Sequence, residues 1–192
     1  MQQTSQLTER RFFTIGHSNR SADEFVTLLQ TFGADLLVDV RKMPRSRSNP
    51  QFNVDVLPLT LGERQIGYRH VASLGGLRSR TPSFRASPNT LWRNRSFRNY
   101  ADYAMTAAFR EGLDELRRLG KCHTCAIMCA EVLWWRCHRR IIADYLLNEG
   151  EDVRHIIGPG DCIPARLTSG VQSTEAGLLY QASESNLSAT GQ

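Results

Sequence analysis

The sequence predicts an α/β protein with an open, mostly parallel sheet, helices on both faces of that sheet and a single domain. Apolar runs typical of buried strands alternate with stretches of helical periodicity along most of the chain. The first three elements form a strand–helix–strand unit within roughly 30 residues, which favours parallel pairing. The length of 192 residues suits one domain with one substantial core.

The first strand–helix–strand unit has clear local signals. The run FFTIG at residues 12–16 indicates a buried strand. Ser21 and Glu24 have the spacing of a capping box, and Gly33 ends the helix that they begin. The run ADLLVDV at residues 34–40 predicts the second strand, because it is apolar and short.

The middle of the chain is less regular. Prolines and turn-forming residues predict a loop over 41–53, and a weak helical pattern follows at 54–65. Residues 66–71 predict a third strand. The stretch 75–98 is rich in Arg, Ser and Pro, so it predicts a second loop.

The next stretch of the chain predicts four more elements. Asn99 is a candidate helix cap, and apolar residues at helical spacing predict one long helix from there to Gly120. Residues 123–129 predict a strand, residues 136–148 a helix and residues 153–157 a last strand.

Composition also predicts the borders of the domain. Residues 1–10 predict a disordered N-terminus and residues 159–192 a peripheral or disordered tail, so the α/β domain spans 11–158. The sequence has no apolar run of the roughly 18 residues that a membrane helix needs, and no signal peptide at its start. We therefore expect a cytoplasmic protein without a membrane partner.

Positive charge is concentrated in one part of the chain. The formal net charge is +5, but residues 41–98 contain 12 basic residues and only two acidic ones, Asp55 and Glu63, which is a charge of +10. All the basic residues of the chain except Lys42 and Lys121 are arginines. Arginine binds phosphate and carboxylate in two-point geometry, so this block indicates an anionic partner, although a compositional bias towards arginine remains an alternative.

Ligands of open α/β sheets bind at the carboxyl ends of the strands, which directs attention to three places. His17 and Asn19 follow the first strand and precede a helix, where backbone donors favour an anion. Asp39 and Arg41 end the second strand, where Asp39 could orient His17 or Arg41. The alternatives are an ordinary polar turn and an ordinary ion pair at the edge of the sheet.

The third strand end is the most unusual. Cys129 and Glu131 end an apolar strand, and Cys137 and His138 precede Arg139 where a helix is predicted to begin. Glu131 is a candidate general acid or base, with His17 or His138 as its partner in proton transfer. A helix start and neighbouring cations should lower the pKa of Cys137, whereas an apolar strand should raise the pKa of Cys129. We therefore expect Cys137 to be the more reactive thiol; the alternative for Cys129 is packing as a small hydrophobe.

The cysteines are also candidate ligands for a metal ion. Cys122, Cys125 and Cys129 cannot all face one ion from a single strand, because alternate side chains point to opposite faces. This makes a structural zinc site there improbable on geometric grounds. An open metal site that uses His17, Cys137 or His138 with a carboxylate stays as an alternative.

Several ordered motifs together resemble one protein family. They are TIGHSNRS (14–21), LLVDVR (36–41), PRSRSNPQFN (44–53), SLGGLR (73–78), SFRNYADY (96–103) and IMCAEVLWWRCHRR (127–140). The combination is similar to the domain of unknown function 488 family, over roughly residues 11–160, and the resemblance implies an α/β fold and a bacterial protein. Trp134 stands where the family motif has a proline.

The resemblance also implies a set of signature residues. They are His17, Asn19, Asp39, Arg41, Arg45, Ser46, Gln51, Phe52, Asn53, Cys129, Glu131, Cys137, His138 and Arg139. Arg45, Ser46, Gln51, Asn53 and Arg139 are assigned to substrate binding together with Asn19, Asp39 and Arg41.

A weaker resemblance is to thiol enzymes. LLVDVR resembles a strand of rhodanese-like sulfurtransferases, and Cys129 followed by Arg136 resembles the loop of cysteine phosphatases. Six residues separate Cys129 from Arg136, whereas those loops have four or five, so this interpretation is a minor alternative.

These observations predict an enzyme that acts on a phosphate-bearing substrate, with nucleic acid as one candidate. Aromatic residues among the arginines could stack on bases or could form local cores; they are Phe52, Phe84, Trp92 and Phe97. The alternative from a different class is a non-catalytic module that binds nucleic acid or a protein partner. The two differ in one observable: in an enzyme, Cys129, Glu131 and Cys137 share a cleft with His17 and Arg41.

Overall fold

The structure is a computed structural model that describes residues 11–82 and 84–182. Residues 1–10 and 183–192, on which the predicted disordered N-terminus and part of the predicted tail fall, lie outside the described residues. The elements in chain order are β1 (Phe12–Gly16), α1 (Ala22–Thr31), β2 (Leu36–Asp39), α2 (Leu57–Gly62), β3 (Gly67–His70), α3 (Arg95–Ala104), α4 (Ala107–Gly120), β4 (Cys125–Cys129), α5 (Arg139–Asn148), β5 (Val153–Gly158), β6 (Asp161–Pro164), β7 (Val171–Thr174) and β8 (Gly177–Tyr180).

The central sheet has six strands in the order β3-β2-β4-β1-β5-β6. All neighbouring pairs are parallel except β5 with β6, which confirms the predicted open, mostly parallel sheet. β4 lies between β1 and β2, with Cys129 beside Gly16 and Met128 beside Asp39. The carboxyl ends of β1, β2 and β4 are therefore adjacent at one edge of the sheet.

Helices cover both faces of the sheet, as predicted, because the strands are apolar on both sides. In β4, Ala126 and Met128 pack with α1 and α2 in one core, whereas Cys125 and Ile127 pack with α3, α4 and α5 in the other. Such runs of buried residues without polar alternation are typical of a parallel strand in the middle of a sheet.

The predicted helix starts are right for α1 and wrong for α3 and α4. Ser21 forms the capping box with Glu24, and Gly33 has the positive φ of 67° that ends the chain's first helix. The predicted single helix from Asn99 to Gly120 is instead two helices. Asn94 is the cap, because its side chain accepts hydrogen bonds from two backbone N–H groups, and Thr106 has an extended backbone that separates α3 from α4.

The predicted helix at 136–148 begins three residues later than expected. Trp134–Arg136 form a short 3₁₀ turn, and Cys137 follows it with extended backbone angles of φ −123° and ψ 148°. Cys137 therefore precedes α5 instead of lying inside its first turn.

The stretch predicted as a peripheral or disordered tail contains three strands between residues 161 and 180. β6 adds to the sheet beside β5, and β7 and β8 form a hairpin whose Leu178 and Tyr180 are buried in the main core. The Tyr180 hydroxyl donates to Asp144 at 3.0 Å, and the Tyr180 N–H donates to Asn89 at 3.0 Å. Within the described residues, no helix is long and apolar enough to cross a membrane.

Candidate functional site

A cavity of about 660 Å³ opens at the carboxyl ends of β1, β2 and β4. Its position follows from the strand order, which makes these three ends neighbours. Nine of the residues predicted for the site line this cavity: His17, Asn19, Arg41, Arg45, Ser46, Cys129, Glu131, Cys137 and His138. The structure thus brings the three strand ends selected from the sequence into one site.

Arg41 is the buried cation of the β2 end. Its Nε and Nη2 donate to the Asp39 carboxylate, with a shortest distance of 2.6 Å, and Nη2 also donates to the Phe52 carbonyl at 2.7 Å. Tyr68 donates its hydroxyl to the same carboxylate at 2.7 Å. Asp39 is fully buried and does not line the cavity, so its role is to hold Arg41 in a fixed orientation.

His17 is the second partner of Arg41. Its Nδ1 lies 2.7 Å from the Ser18 carbonyl oxygen, which can only accept, so Nδ1 carries the proton. Its Nε2 then accepts from Arg41 Nη1 at 3.3 Å, and its ring stacks on Phe52 with centroids 4.2 Å apart. Burial, with a further contribution from the Arg41 charge, lowers the pKa of His17 to about 4. His17 is therefore neutral at pH 7 and positions Arg41, because the lone pair needed for proton transfer is already engaged.

Two thiols and an imidazole meet at the β4 end. Nδ1 of His138 lies 3.9 Å from Sγ of Cys129 and 3.6 Å from Sγ of Cys137. Nε2 of His138 lies 2.9 Å from the Val40 carbonyl oxygen and donates to it. In the neutral ring, this hydrogen bond leaves the Nδ1 lone pair facing the two sulfur atoms.

The two thiols have opposite acidities. The hydrogen bond to Cys137, together with burial, raises the pKa of Cys129. Burial also opposes ionisation of Cys137, but the hydrogen bond from Cys129, the interaction with His138 and the charge of Arg139 outweigh it, so the pKa of Cys137 is well below its ordinary value. Arg139 Nε donates to Sγ of Cys137 at 3.3 Å. These directions agree with the expectation from the sequence, although the cause is contact with these groups and not a place inside the helix.

Glu131 and Arg139 have different positions in the site. Glu131 is exposed at the cavity, where its Oε1 accepts from the Leu133 N–H at 3.1 Å. Arg139 is buried beneath the cavity, and its Nη2 donates to the carbonyl oxygens of Glu131 and Val132. Glu131 can contact a bound substrate, whereas Arg139 acts through Cys137 and the backbone.

Gln51 and Asn53 do not line the cavity. Gln51 donates to the Arg20 carbonyl at 2.8 Å, and Asn53 accepts from the Ser46 N–H at 2.6 Å. Both side chains hold the 41–53 loop in place, so they support the site and have no direct access to it.

Two of the aromatic residues that were candidates for stacking on bases are buried in the core. Phe52 is fully buried against Phe25, and Trp92 is buried against Phe97 and Tyr180. Phe52 and Trp92 are therefore part of the core, and stacking on nucleic-acid bases is wrong for these two residues.

Sequence reasoning missed four further lining residues: Ser96 and Tyr100 of α3, and Gly76 and Leu77 of the preceding loop. Phe97 of α3, which the sequence analysis names as a candidate stacking aromatic, also lines the cavity. The motifs SLGGLR and SFRNYADY contain these residues, so a signal existed at the level of the motifs. The further lining residues are Ser18, Lys42, Met43, Asn49, Ala130 and Arg136.

The side chains that lie close enough together to bind one metal ion are not the closely spaced cysteines Cys122 and Cys125. Cys122 is exposed, and Cys125 is buried in the sheet, where burial raises its pKa to about 12. Among the described residues, the group of His, Cys, Asp or Glu side chains close enough to share one ion is Cys129, Cys137 and His138, whose ligand atoms all lie within 4.8 Å of one another.

Comparison with known proteins identifies the family. The family model described as "Domain of unknown function DUF488" matches residues 21–146, which include Asp39, Arg41 and the Cys129–His138 segment, whereas His17 and Asn19 lie just before the match. No curated protein and no solved structure shows a significant match to the chain. Because the match covers well over half of the sequence, the chain belongs to the DUF488 family of unknown function.

Proposed function

We propose that this protein is an enzyme that acts on a phosphate-bearing substrate bound in the cavity. The proposal rests on one observation: Cys129, Cys137 and His138 line the same cavity as Arg41 and other cations. A site that only bound an anion would have no need of two thiols and an imidazole beside the ligand. The non-catalytic binding module is less well supported for this reason.

The charge of the cavity favours an anion. Arg41, Lys42, Arg45 and Arg136 line it, and Glu131 is the acidic residue among the lining side chains. Arginine forks are suited to the several oxygens of a phosphate group.

Arg41 is the best prepared of these cations. Four of its five N–H hydrogens are engaged, by Asp39, Phe52 and His17, and the fifth, on Nη1, has no partner among the described residues. The side chain is 6% exposed and is held rigidly, so little conformational entropy is lost when that N–H binds a substrate oxygen.

The dimensions of the cavity favour a small substrate. A volume of about 660 Å³ lies in the range of sites for small molecules and is large enough for one nucleotide. Phe97 and Tyr100 add aromatic surface to the lining of the cavity, which suits an organic group attached to the phosphate. The burial of Phe52 and Trp92 removes part of the stacking surface that a nucleic-acid strand would use, so we propose a small molecule over a strand.

Binding tests the first half of the proposal. We expect inorganic phosphate and AMP to bind the full-length protein in isothermal titration calorimetry. Arg45→Gln and Arg136→Gln should each weaken binding by about tenfold, because each removes a charge-assisted contact of about 1.4 kcal/mol. Arg118→Gln, at an exposed arginine in the last turn of α4, is the matched control and should bind as the wild type does. Equal binding by all four proteins would contradict the assignment of the cavity.

The same set of variants distinguishes a nucleic-acid ligand from a small phosphate-bearing molecule. A short single-stranded oligonucleotide should bind more weakly than AMP relative to its charge, and its affinity should depend little on Arg45. Tight oligonucleotide binding with a steep decrease at higher salt would favour nucleic acid over a small substrate.

Turnover measurements test the second half of the proposal, which is that the protein is an enzyme. In a screen of phosphate monoesters, diesters and nucleotides, any activity should be lost in Cys137→Ser and retained in Cys162→Ser, which removes a partly buried thiol of β6 outside the cavity. An activity that survives in Cys137→Ser would place the chemistry elsewhere.

A further inference from the structure

We propose that Cys129, Cys137 and His138 form a metal centre that binds one Zn²⁺ ion and leaves its fourth coordination position open to the cavity. The donor set is two sulfur atoms and one imidazole nitrogen, which suits zinc and other borderline-soft divalent ions. This inference goes beyond the proposed function, because it concerns what the three side chains bind and holds whatever substrate the cavity takes.

The distances fit one ion. With Zn–S bonds of about 2.3 Å and Zn–N bonds of about 2.0–2.1 Å, tetrahedral angles place a ligand nitrogen about 3.6 Å from each ligand sulfur. The observed separations from His138 Nδ1 are 3.6 Å to Cys137 Sγ and 3.9 Å to Cys129 Sγ. The two sulfur atoms lie within 4.8 Å of each other, whereas two tetrahedral Zn–S bonds need about 3.8 Å, so side-chain movements of no more than about 1 Å would complete the coordination.

The surroundings orient the donors. His138 Nε2 donates to the Val40 carbonyl at 2.9 Å, which is the arrangement that fixes the other ring nitrogen as a metal ligand. Arg139 Nε donates to Cys137 Sγ at 3.3 Å, as second partners of metal-bound thiolates do. Arg139 is 1% exposed, so this hydrogen bond is preorganised.

A glycine leaves room beside the nitrogen donor. A Cβ atom at position 76 would lie 2.8 Å from His138 Nδ1 and 3.0 Å from its Cε1. Gly76 therefore keeps a space open next to Nδ1 that any other residue would fill. Its φ is not in the left-handed region, so backbone conformation does not account for the glycine.

The geometry indicates an open site. All three donor residues line the cavity, and among the described residues no fourth His, Cys, Asp or Glu belongs to the cluster. Glu131 has one carboxylate oxygen engaged by the Leu133 N–H. Three protein ligands with a free position are typical of a catalytic zinc site, whereas structural sites have four.

Metal binding can be measured without any substrate. The full-length protein is freed of metal with a chelator, then titrated with Zn²⁺ and, separately, with Co²⁺. We expect one Zn²⁺ per chain by equilibrium dialysis with elemental analysis. The Co²⁺ form should show sulfur-to-cobalt charge-transfer absorption in the near ultraviolet and the strong visible bands of a tetrahedral ion.

Variants locate the site. Cys129→Ser, Cys137→Ser and His138→Gln should each weaken Zn²⁺ binding by at least about 100-fold, because each removes a ligand, and the two serine variants should lose charge-transfer intensity. Cys162→Ser is the matched control and should bind as the wild type does. Gly76→Ala should weaken binding because its Cβ atom occupies the space beside Nδ1, although all three ligand residues are retained.

Alkylation of the wild type gives a result that does not depend on variants folding. We expect Zn²⁺ to protect Cys129 and Cys137 from iodoacetamide, as mapped by mass spectrometry, while exposed Cys122 labels equally with and without the ion. Binding below one ion per chain, a cobalt spectrum without charge-transfer bands, or labelling of Cys129 and Cys137 that Zn²⁺ does not change would each overturn the proposal. The last of these results would indicate a hydrogen-bonded thiol–imidazole cluster without metal.

Discussion

Two buried arginines lie at the same edge of the sheet, and their charges are balanced differently. Arg41 is 6% exposed and is paired with the carboxylate of Asp39 at 2.6 Å. Arg139 is 1% exposed, and its partners among the described residues are the Cys137 sulfur and two backbone carbonyls, with no carboxylate. A buried cation without a counter-charge costs several kcal/mol, so Arg139 favours Cys137 as an anion.

The two arginine pairs therefore differ in what they contribute to the cavity. The Arg41–Asp39 pair joins a guanidinium group to a carboxylate, so it adds rigidity and leaves one free donor. The Arg139–Cys137 pair uses a thiol as its anion, and a thiolate is the form of cysteine that binds metals and attacks electrophiles. Arginine therefore contributes rigidity at the β2 end, and at the β4 end it favours the thiolate form of Cys137.

We expect the largest effect from a substitution that breaks the Arg41–Asp39 pair. Asp39→Asn leaves Arg41 buried without a counter-charge, and we expect the free energy of unfolding in urea to fall by about 3–5 kcal/mol. Tyr68→Phe is the matched control: it removes only the hydroxyl that donates to Asp39 and should cost about 1 kcal/mol. Similar losses in the two variants would show that the carboxylate charge is not what stabilises Arg41.

How much the sequence predicts depends on whether the cause is local. The β1, α1 and β2 elements follow from neighbouring residues, such as the Ser21–Glu24 capping box. The break between α3 and α4 at Thr106 has no glycine or proline to mark it. The β7–β8 hairpin contains few apolar residues, and its order depends on Leu178 and Tyr180 reaching a core built by distant helices.

The residues of the candidate site also differ in whether a local pattern of the sequence could predict them. His17, Arg41 and Cys129 could be predicted, because the carboxyl ends of parallel strands meet at one edge. Gly76 and Tyr100 belong to motifs of the sequence, but no local pattern places them at the site, because the loop and the helix that carry them reach the cavity only through tertiary packing. The contact of His138 with both thiols likewise depends on the exact turn from β4 to α5, where the helix starts later than the sequence indicates.

Acid should destabilise the protein through histidines near the two arginines. Burial, aided by the Arg139 charge, lowers the pKa of His155 to about 4, and His17 beside Arg41 has a similar value. The unfolded chain, with an ordinary histidine pKa of about 6.5, binds more protons between pH 6.5 and 4, so stability is complete above this window and falls as the pH decreases through it. For His155 the loss should reach about 3 kcal/mol by pH 4.

Urea unfolding at pH 7, 5.5 and 4 measures this loss. His155→Gln should reduce the difference between pH 7 and pH 4 by most of the His155 share, while Arg118→Gln, at an exposed arginine in the last turn of α4, should leave the difference unchanged. If His155→Gln retains the full acid sensitivity of the wild type, burial of this ring is not its source.

A double-mutant cycle compares the two pairs directly. In metal-free buffer, Cys137→Ser and Arg139→Met should show a coupling free energy of about 2 kcal/mol, because the second substitution removes the cation that the first leaves unpaired. The corresponding cycle with Asp39→Asn and Arg41→Met should give a larger coupling, since its carboxylate accepts two guanidinium nitrogens. A coupling near zero for Cys137 and Arg139 would mean that the thiol is not the counter-charge of this arginine.

The smallest expected effect concerns the reach of the Arg139 charge. His155 lies beneath Trp134, with ring centroids 4.1 Å apart, and its Nδ1 is 2.8 Å from the Thr14 hydroxyl, so burial is the larger cause of its low pKa and Arg139 the smaller one. Arg139→Met should therefore raise the pKa of His155 by less than about one unit, whereas Arg139→Lys should leave it near 4 because the charge is retained. NMR titration of the labelled imidazole measures both values in protein that remains folded. A return of the pKa to 6.5 in Arg139→Met would reverse the order of the two causes and make the cation, rather than burial, the feature that keeps this histidine neutral.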